Sequence, residues 1–309
     1  MDLTYSVTTT YIGLQEDFAF WLAGRGASAS TVKSYLRDLA VFTRWFEGAN
    51  RQGFDVHYLT STDLRAWREH SLQVEHVLPT TWNRRLAMLR NLAAWAREGG
   101  LIEHDPLRGV LRARDGRKTA PRSLEKPDFG RLMRQLEVDV LAANTPRRRA
   151  LAIRDAALVG LMEYAGLREG EASRLLVGDV EIGERSGHVR VYNGKGGKYA
   201  EVELAREARY LVGEWLVVHP SPGAGERLFP SLSPRAIQKR VAGLGRRARV
   251  EGLTPHRLRH TFVKRMIDAG VPLPTVQDLA RHAKTETTAR YGLPTSQDRQ
   301  NAVDAIQAI

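Results

Sequence analysis

The sequence predicts a mainly α-helical protein of two domains, the second carrying a small antiparallel β-sheet. Three observations lead there. Apolar residues recur at helical spacing through most of the chain. Residues 105–122 interrupt that pattern with prolines, glycines and a run of basic side chains. One region alone alternates as strands do, on either side of a glycine-rich turn. A length of 309 residues also suits two domains of ordinary size better than one.

Leu14, Phe18, Trp21 and Leu22 predict a first helix over 11–24, closed by Gly24 and Gly26. Ser28 or Ser30 can cap a second, which carries Val32, Tyr35, Leu36, Leu39, Phe42 and Phe46. A third runs from Ser61-Thr62-Asp63 through Leu64, Trp67 and Leu72. A fourth opens at Pro79 and ends at Gly99-Gly100, with Leu86, Leu89, Ala93 and Ala96 on one face. These aromatic residues are expected in a core. Residues 1–104 thus form a helical domain, with Lys33, Arg37, Arg84, Arg85 and Arg90 off the apolar stripes and available to a polyanion. Residues 105–122, with Arg108, Arg112, Arg114, Arg117 and Lys118, read as a basic linker.

The second domain, 123–295, begins with helices over about 127–143 and 147–164. Gly166 ends the latter, Arg168 falls in the turn, and Glu171 lies one helical turn further on. Strands are predicted at 187–192 and 199–204 around Asn193-Gly194-Lys195-Gly196-Gly197-Lys198, the only convincing strand region. Helices follow over about 205–218 and 233–249. Thr254-Pro255 then starts another, Thr254 as cap and Pro255 at the first helical position. It buries Phe262, Met266 and Ile267 and stops at Gly270, before a short helix over 273–280. From Ser296, residues Ala302, Val303 and Ile306 make a narrow stripe, a docking helix over 296–309.

A formal charge of +12, carried by eight lysines and 39 arginines, points to a polyanionic partner. The planar arginine fork suits phosphate, so nucleic acid is favoured over a membrane surface. With no cysteine, thiol catalysis, disulfides and Cys-type zinc sites are excluded. No signal peptide and no apolar run near the ~20 residues of a membrane span is read. A cytoplasmic, nucleoid-associated protein is expected.

The chemistry concentrates in 254–291. His256 and Arg259 share one face of a helix's first turn, where free N–H groups and the dipole favour a phosphate. His260, His282 and Tyr291 follow. An imidazole, a guanidinium and a phenol in that order suggest phosphoryl chemistry on an anionic substrate. Read singly, Arg168 is an ordinary ion-pair partner and Lys195 a solvated turn residue.

Together these residues resemble the tyrosine recombinase (phage integrase) family. The resemblance rests on Gly166-Leu167-Arg168 with Glu171, on Gly194-Lys195-Gly196, and on the His-x-x-Arg box His256–Arg259 with His260. His282 and Tyr291, nine residues apart after Thr287-Thr288, complete it. It implies a SAM-like core-binding domain over 11–100 and the family's catalytic domain over 123–309. It implies a catalytic set of Arg168, Lys195, His256, Arg259, His282 and Tyr291, with Glu171 and His260 in support; Lys198 and Arg257 are further candidates for DNA contact. Tyr291 would form a 3′-phosphotyrosyl bond, and strands would be exchanged through a Holliday junction without ATP, metal or other cofactor. The partners implied are duplex DNA with a specific site and a homotetramer on two sites, or a second recombinase. The sequence departs from the family at Arg281, where relatives commonly carry glycine, so the backbone there is expected to need no special dihedral. Gly292-Leu293-Pro294 replaces the common Thr-His pair after the tyrosine.

The same groups also describe a type IB topoisomerase, the alternative activity. A non-catalytic DNA-binding protein would not need every one of these positions filled. A metallopeptidase using His256 and His260 would need a glutamate where Arg257 stands and a third ligand, and the sequence offers neither.

Overall fold

The computed structural model describes residues 11–114, 123–192 and 199–281 and divides into two compact units, Met1–Lys118 and Thr119–Ile309. In the first unit α1 (Tyr11–Gly24), α2 (Ala29–Asn50), α3 (Ser61–Glu69) and α4 (Pro79–Glu98) enclose an aromatic core. Ser28 caps α2 by accepting the Thr31 N–H, and Thr60, not Ser61, caps α3 in a reciprocal pair with Asp63. Phe18, Phe42, Trp67 and Trp82 are fully buried, with ring centroids of Phe42 and Trp67 4.8 Å apart. Each such side chain removes roughly 150–250 Å² from water, so the core expectation for the aromatics holds.

Two expectations fail in this unit. Arg85 is buried, not surface-facing: a π-helical turn over His70–Val74 presents Ser71 Oγ at 2.8 Å and leads to Glu75, whose carboxylate accepts at 2.8 Å. The guanidinium also lies over the Trp67 ring, so Arg85 belongs to the core. Arg84 is tied to Ser34 and to buried Asp38, while Lys33, Arg37 and Arg90 are exposed. The second failure concerns the linker. Val110 and Ala113 are buried in the first unit, Leu111 O accepts from Trp82 Nε1 and Arg68, and Asn83 pairs with Ala113 in both directions. The first half of the basic stretch is therefore packed against α3 and α4.

In the second unit α6 (Pro146–Tyr164) is the central element. Residues Ile153 to Glu163 are buried on every side, apolar from Ala156 to Met162, with the buried charges of Arg154 and Asp155 paired to each other. It packs against α5 (Lys126–Leu141), α8 (Arg206–Val217) and α10 (Pro255–Asp268). The four-residue α7 (Glu169–Ala172) follows the turn after α6, and α9 (Pro234–Arg247) and α11 (Leu273–Leu279) complete the helices among the described residues. Three antiparallel strands form one sheet in the order β1 (Val180–Ile182), β2 (Gly187–Tyr192), β3 (Tyr199–Glu203). Val189 pairs with Val202 and Val180, and Val189, Val191 and Val202 face the core. β1 is absent from the sequence reading. It has three residues, two of them exposed, and exists by pairing with β2. No described helix is long and apolar enough to cross a membrane.

The acid that closes α6's buried run is informative. Glu163 is 1% exposed; one carboxylate oxygen accepts from Arg265 at 3.2 Å, and the other has no partner among the described residues. Burial outweighs the pull of Arg265 and pushes its pKa from 4.5 up to about 8. Between those values the folded protein keeps a proton that the unfolded chain has lost, so stability falls as pH rises across that window. Glu163→Gln imitates the protonated form. Its urea midpoint is expected to change less than the wild type's over that range, and parallel profiles for the two proteins would contradict this.

Candidate active site

The site is built where α6, α10 and α11 end or begin. α6 closes with Gly166 at φ 61°, and Leu167 N–H returns to Leu161 O, a left-handed stop that glycine favours. The chain then runs extended through Arg168 into α7, which brings Glu171 back toward Arg168. Arg168 Nη1 donates to Glu171 Oε1 at 2.6 Å, and its backbone N–H donates to Oε2 at 2.9 Å. Its side chain is 40% exposed, so the guanidinium remains reachable from solvent.

α10 opens as expected, with Thr254 Oγ1 accepting the Arg257 N–H and Pro255 at the start. Arg259 is 2% exposed and points inward, donating to the carbonyls of Gly166 and Ala280. His256 lies at the surface, in edge-to-face contact with His260 at 3.9 Å between ring centroids. Arg257 is half-buried and lines the cleft beside His256. Its guanidinium binds Ser123 O, Glu251 O and Asp128, fastening the start of the unit to α10. Thr261 does likewise by accepting the Leu124 N–H at 2.8 Å.

Arg281 corrects the remaining expectation. It adopts φ 52°, the left-handed region, so its backbone does need a special dihedral. Its side chain turns inward and donates to Glu171 Oε2 at 3.0 Å and to the carbonyls of Gly166 and Leu279, each at 3.1 Å. Its own carbonyl accepts Arg168 Nη2 at 3.0 Å.

Two guanidinium groups thus hold one carboxylate, and a third, that of Arg259, shares the Gly166 carbonyl with Arg281. Burial alone would raise the Glu171 pKa, but Arg281, the Arg168 amide and the Arg168 guanidinium outweigh it and hold the carboxyl below its ordinary value. Arg259 is pressed the other way: burial, then Arg168, then Arg281 lower its pKa below the ordinary guanidinium value. Burial and Arg259 also lower His256, which keeps the imidazole neutral near pH 7 and able to accept a proton. Such a cluster is short of negative charge and suited to an anion. Two clefts flank it. One of about 830 Å³ is lined in part by His256, Arg131 and Arg249; another of about 860 Å³ is lined in part by Arg168, Arg281, Gln277 and Glu201.

Lys195 and Lys198 lie in the 193–198 connection between β2 and β3, outside the described residues, as do His282 and Tyr291. The site therefore brings together Arg168, Glu171, His256, Arg259 and His260. Arg281 and the shared acceptor Gly166 O are additions that the sequence reading did not include.

Residues 131–297 match the Phage integrase family, and residues 16–100 match the Phage integrase N-terminal SAM-like domain. The chain belongs to the phage integrase family of tyrosine recombinases. It is 32% identical over 289 residues to tyrosine recombinase XerC of Rhodospirillum centenum, covering 89% of this chain and 81% of that protein. The XerC of Chromohalobacter salexigens is 32% identical over 300 residues, covering 94% and 93%. The fold resembles that of XerH in a post-cleavage complex with palindromic difH, with a TM-score of 0.70 at 19% identity over 91% of this chain and 80% of that one. A lambda integrase dimer bound to a core site has a TM-score of 0.62 at 15% identity, covering 91% and 94%. As a tyrosine recombinase the protein is an enzyme of site-specific DNA recombination, breaking and rejoining DNA strands. The topoisomerase alternative is not favoured.

Proposed function

We propose that Arg168 and Arg259 clamp the non-bridging oxygens of a scissile phosphodiester and that Tyr291 attacks its phosphorus in line. The observation that carries this reading is the proximity of the two guanidinium groups, close enough to each other and to His256 for their charges to act on one another. The P–O5′ bond breaks as the Tyr291 O–P bond forms, leaving a 3′-phosphotyrosyl link and a free 5′-hydroxyl. His256, held neutral, accepts the phenolic proton, which a group of pKa ~10 does not release unaided at neutral pH. Lys195 protonates the departing 5′ oxygen, and His282 hydrogen-bonds the phosphate. The 5′-hydroxyl of a partner strand then attacks the phosphotyrosine, restoring the diester and the phenol. Bond number is conserved, so neither ATP nor a metal is consumed.

The partner is duplex DNA with a specific site, as for the relatives solved on DNA. The exposed Lys33, Arg37 and Arg90 of the first unit suit contact with its backbone. Exchange between two duplexes requires four protomers, from this chain alone or with a second recombinase, with 296–309 as the segment that docks on a neighbour. The working place is the cytoplasm, at the nucleoid.

Covalent adducts trapped in the host genome and sequenced would locate the recombination site. A plasmid carrying two copies of that site is then expected to yield excision or inversion products in chelator and without ATP. Relaxation of plasmids lacking the site, with no strand exchange on plasmids that carry it, would overturn the reading in favour of a topoisomerase.

A further inference from the structure

We infer that Arg281 is a positioning residue for the DNA-cleavage step, holding Glu171 and through it the guanidinium of Arg168. The inference rests on the functional reading above and concerns how its phosphate clamp is kept in place.

A long side chain at a left-handed position carries a backbone cost, and such a position persists only where surrounding contacts fix it. Here those contacts are specific. The Arg281 side chain is 7% exposed and its Nη2 pairs with Glu171 Oε2, the oxygen that also accepts the Arg168 N–H. The Arg281 carbonyl takes Arg168 Nη2 while Arg168 Nη1 goes to Glu171 Oε1, so Arg168, Glu171 and Arg281 form a closed ring. Through Gly166 O the same guanidinium shares an acceptor with Arg259. Arg281 therefore touches a partner of each clamp arginine, although its own guanidinium is turned away from solvent. Glu171 within the ring, and Glu169 acting on Arg259, offset only part of the charge of the three arginines. The positive excess suits a phosphodiester that gains negative charge as the tyrosine oxygen adds, which favours the transition state over the bound substrate.

The test compares Arg281→Gly and Arg281→Lys with wild type on a suicide substrate nicked beside the mapped crossover point. Glycine accepts φ 52° without strain and keeps the carbonyl for Arg168, so the fold and that hydrogen bond survive. The single-turnover cleavage rate of Arg281→Gly at saturating DNA is expected to fall roughly tenfold, with DNA Kd within about threefold of wild type, since a lost positioning contact acts on the bound state. Arg281→Lys, which keeps the charge, is expected to recover part of that rate. Glu171→Gln is expected to cost much less in the Arg281→Gly background than in wild type, because the two act as one unit. An unchanged rate in Arg281→Gly, a loss confined to Kd or to thermal stability, or no recovery in Arg281→Lys would each overturn the role of Arg281. Absence of an adduct from wild type would instead remove the functional reading and this inference with it.

Discussion

Arg259→Ala is expected to lower the rate of DNA cleavage by roughly 10²–10³-fold at saturating DNA, the usual loss when one preorganised donor to a developing charge is removed. The cost to stability is expected to be small, for reasons visible in the site. The Arg259 guanidinium is disfavoured by burial and by the charges of Arg168 and Arg281, against the pull of Glu171 and Glu169, so its removal relieves repulsion, which offsets part of the lost contacts. Of its two carbonyl partners, Gly166 O keeps the hydrogen bond from Arg281. Activity and stability therefore separate: a thermal midpoint within roughly 5 °C of wild type should accompany the loss of rate. Arg259→Lys should recover little, because an ammonium cannot offer the planar fork that reaches two carbonyls and a phosphate together. A folded Arg259→Ala protein that cleaves within tenfold of the wild-type rate would contradict the clamp.

Gly166→Ala is expected to damage stability and activity together. At φ +61° a Cβ is strained, and it would lie 2.4 Å from Phe262 Cδ1 and 2.7 Å from Cε1. Phe262 belongs to α10 and packs in the small cluster with Val263, Val276 and Ala280, so it has little room to withdraw. Backbone strain of about 1–2 kcal/mol and overpacking of about 1–3 kcal/mol add to roughly 2–5 kcal/mol. For a unit of this size the midpoint would fall by roughly 5–15 °C. The substitution also pries α10, with His256 and Arg259, away from the turn that carries Arg168, so cleavage should fall with stability. Gly213→Ala in α8 is the control: no atom lies within 4 Å of its Cβ, and alanine in a helix interior should be neutral or slightly stabilising. Equal midpoints for Gly166→Ala and wild type would contradict the packing account.

Much of the fold was legible because its signals are local. Ser28 and Thr254 cap the helices their positions announce, and Pro79 and Pro255 stand at the first helical positions. The failures share a cause: they depend on partners distant in sequence. β1 has too few residues to show a period and is created by β2. Arg85 sits between apolar positions and reads as outward-facing until the turn at 70–74 supplies Ser71 and leads to Glu75. Arg281 reads as an ordinary residue in place of glycine, whereas its left-handed backbone is held by Glu171 and Gly166. The candidate site was legible for a different reason. Phosphate chemistry restricts residue type, so His256 and Arg259 could be singled out before their contacts were known, whereas Arg168, an ordinary ion-pair partner when read singly, entered through the family resemblance. What those arginines do in the absence of DNA, each resting on carbonyls or on Glu171, has no sequence signature.

The most direct test of the central claim is the covalent adduct itself. Wild-type protein and Tyr291→Phe are incubated with a suicide substrate nicked beside the crossover point, and the linked peptide is identified by mass. Wild type is predicted to retain the 3′-phosphate end of the cut strand on the peptide containing Tyr291. Tyr291→Phe is predicted to give no adduct while still shifting the DNA in a gel. An adduct that persists in Tyr291→Phe, or a wild-type linkage to another residue or to a 5′ end, would contradict the account.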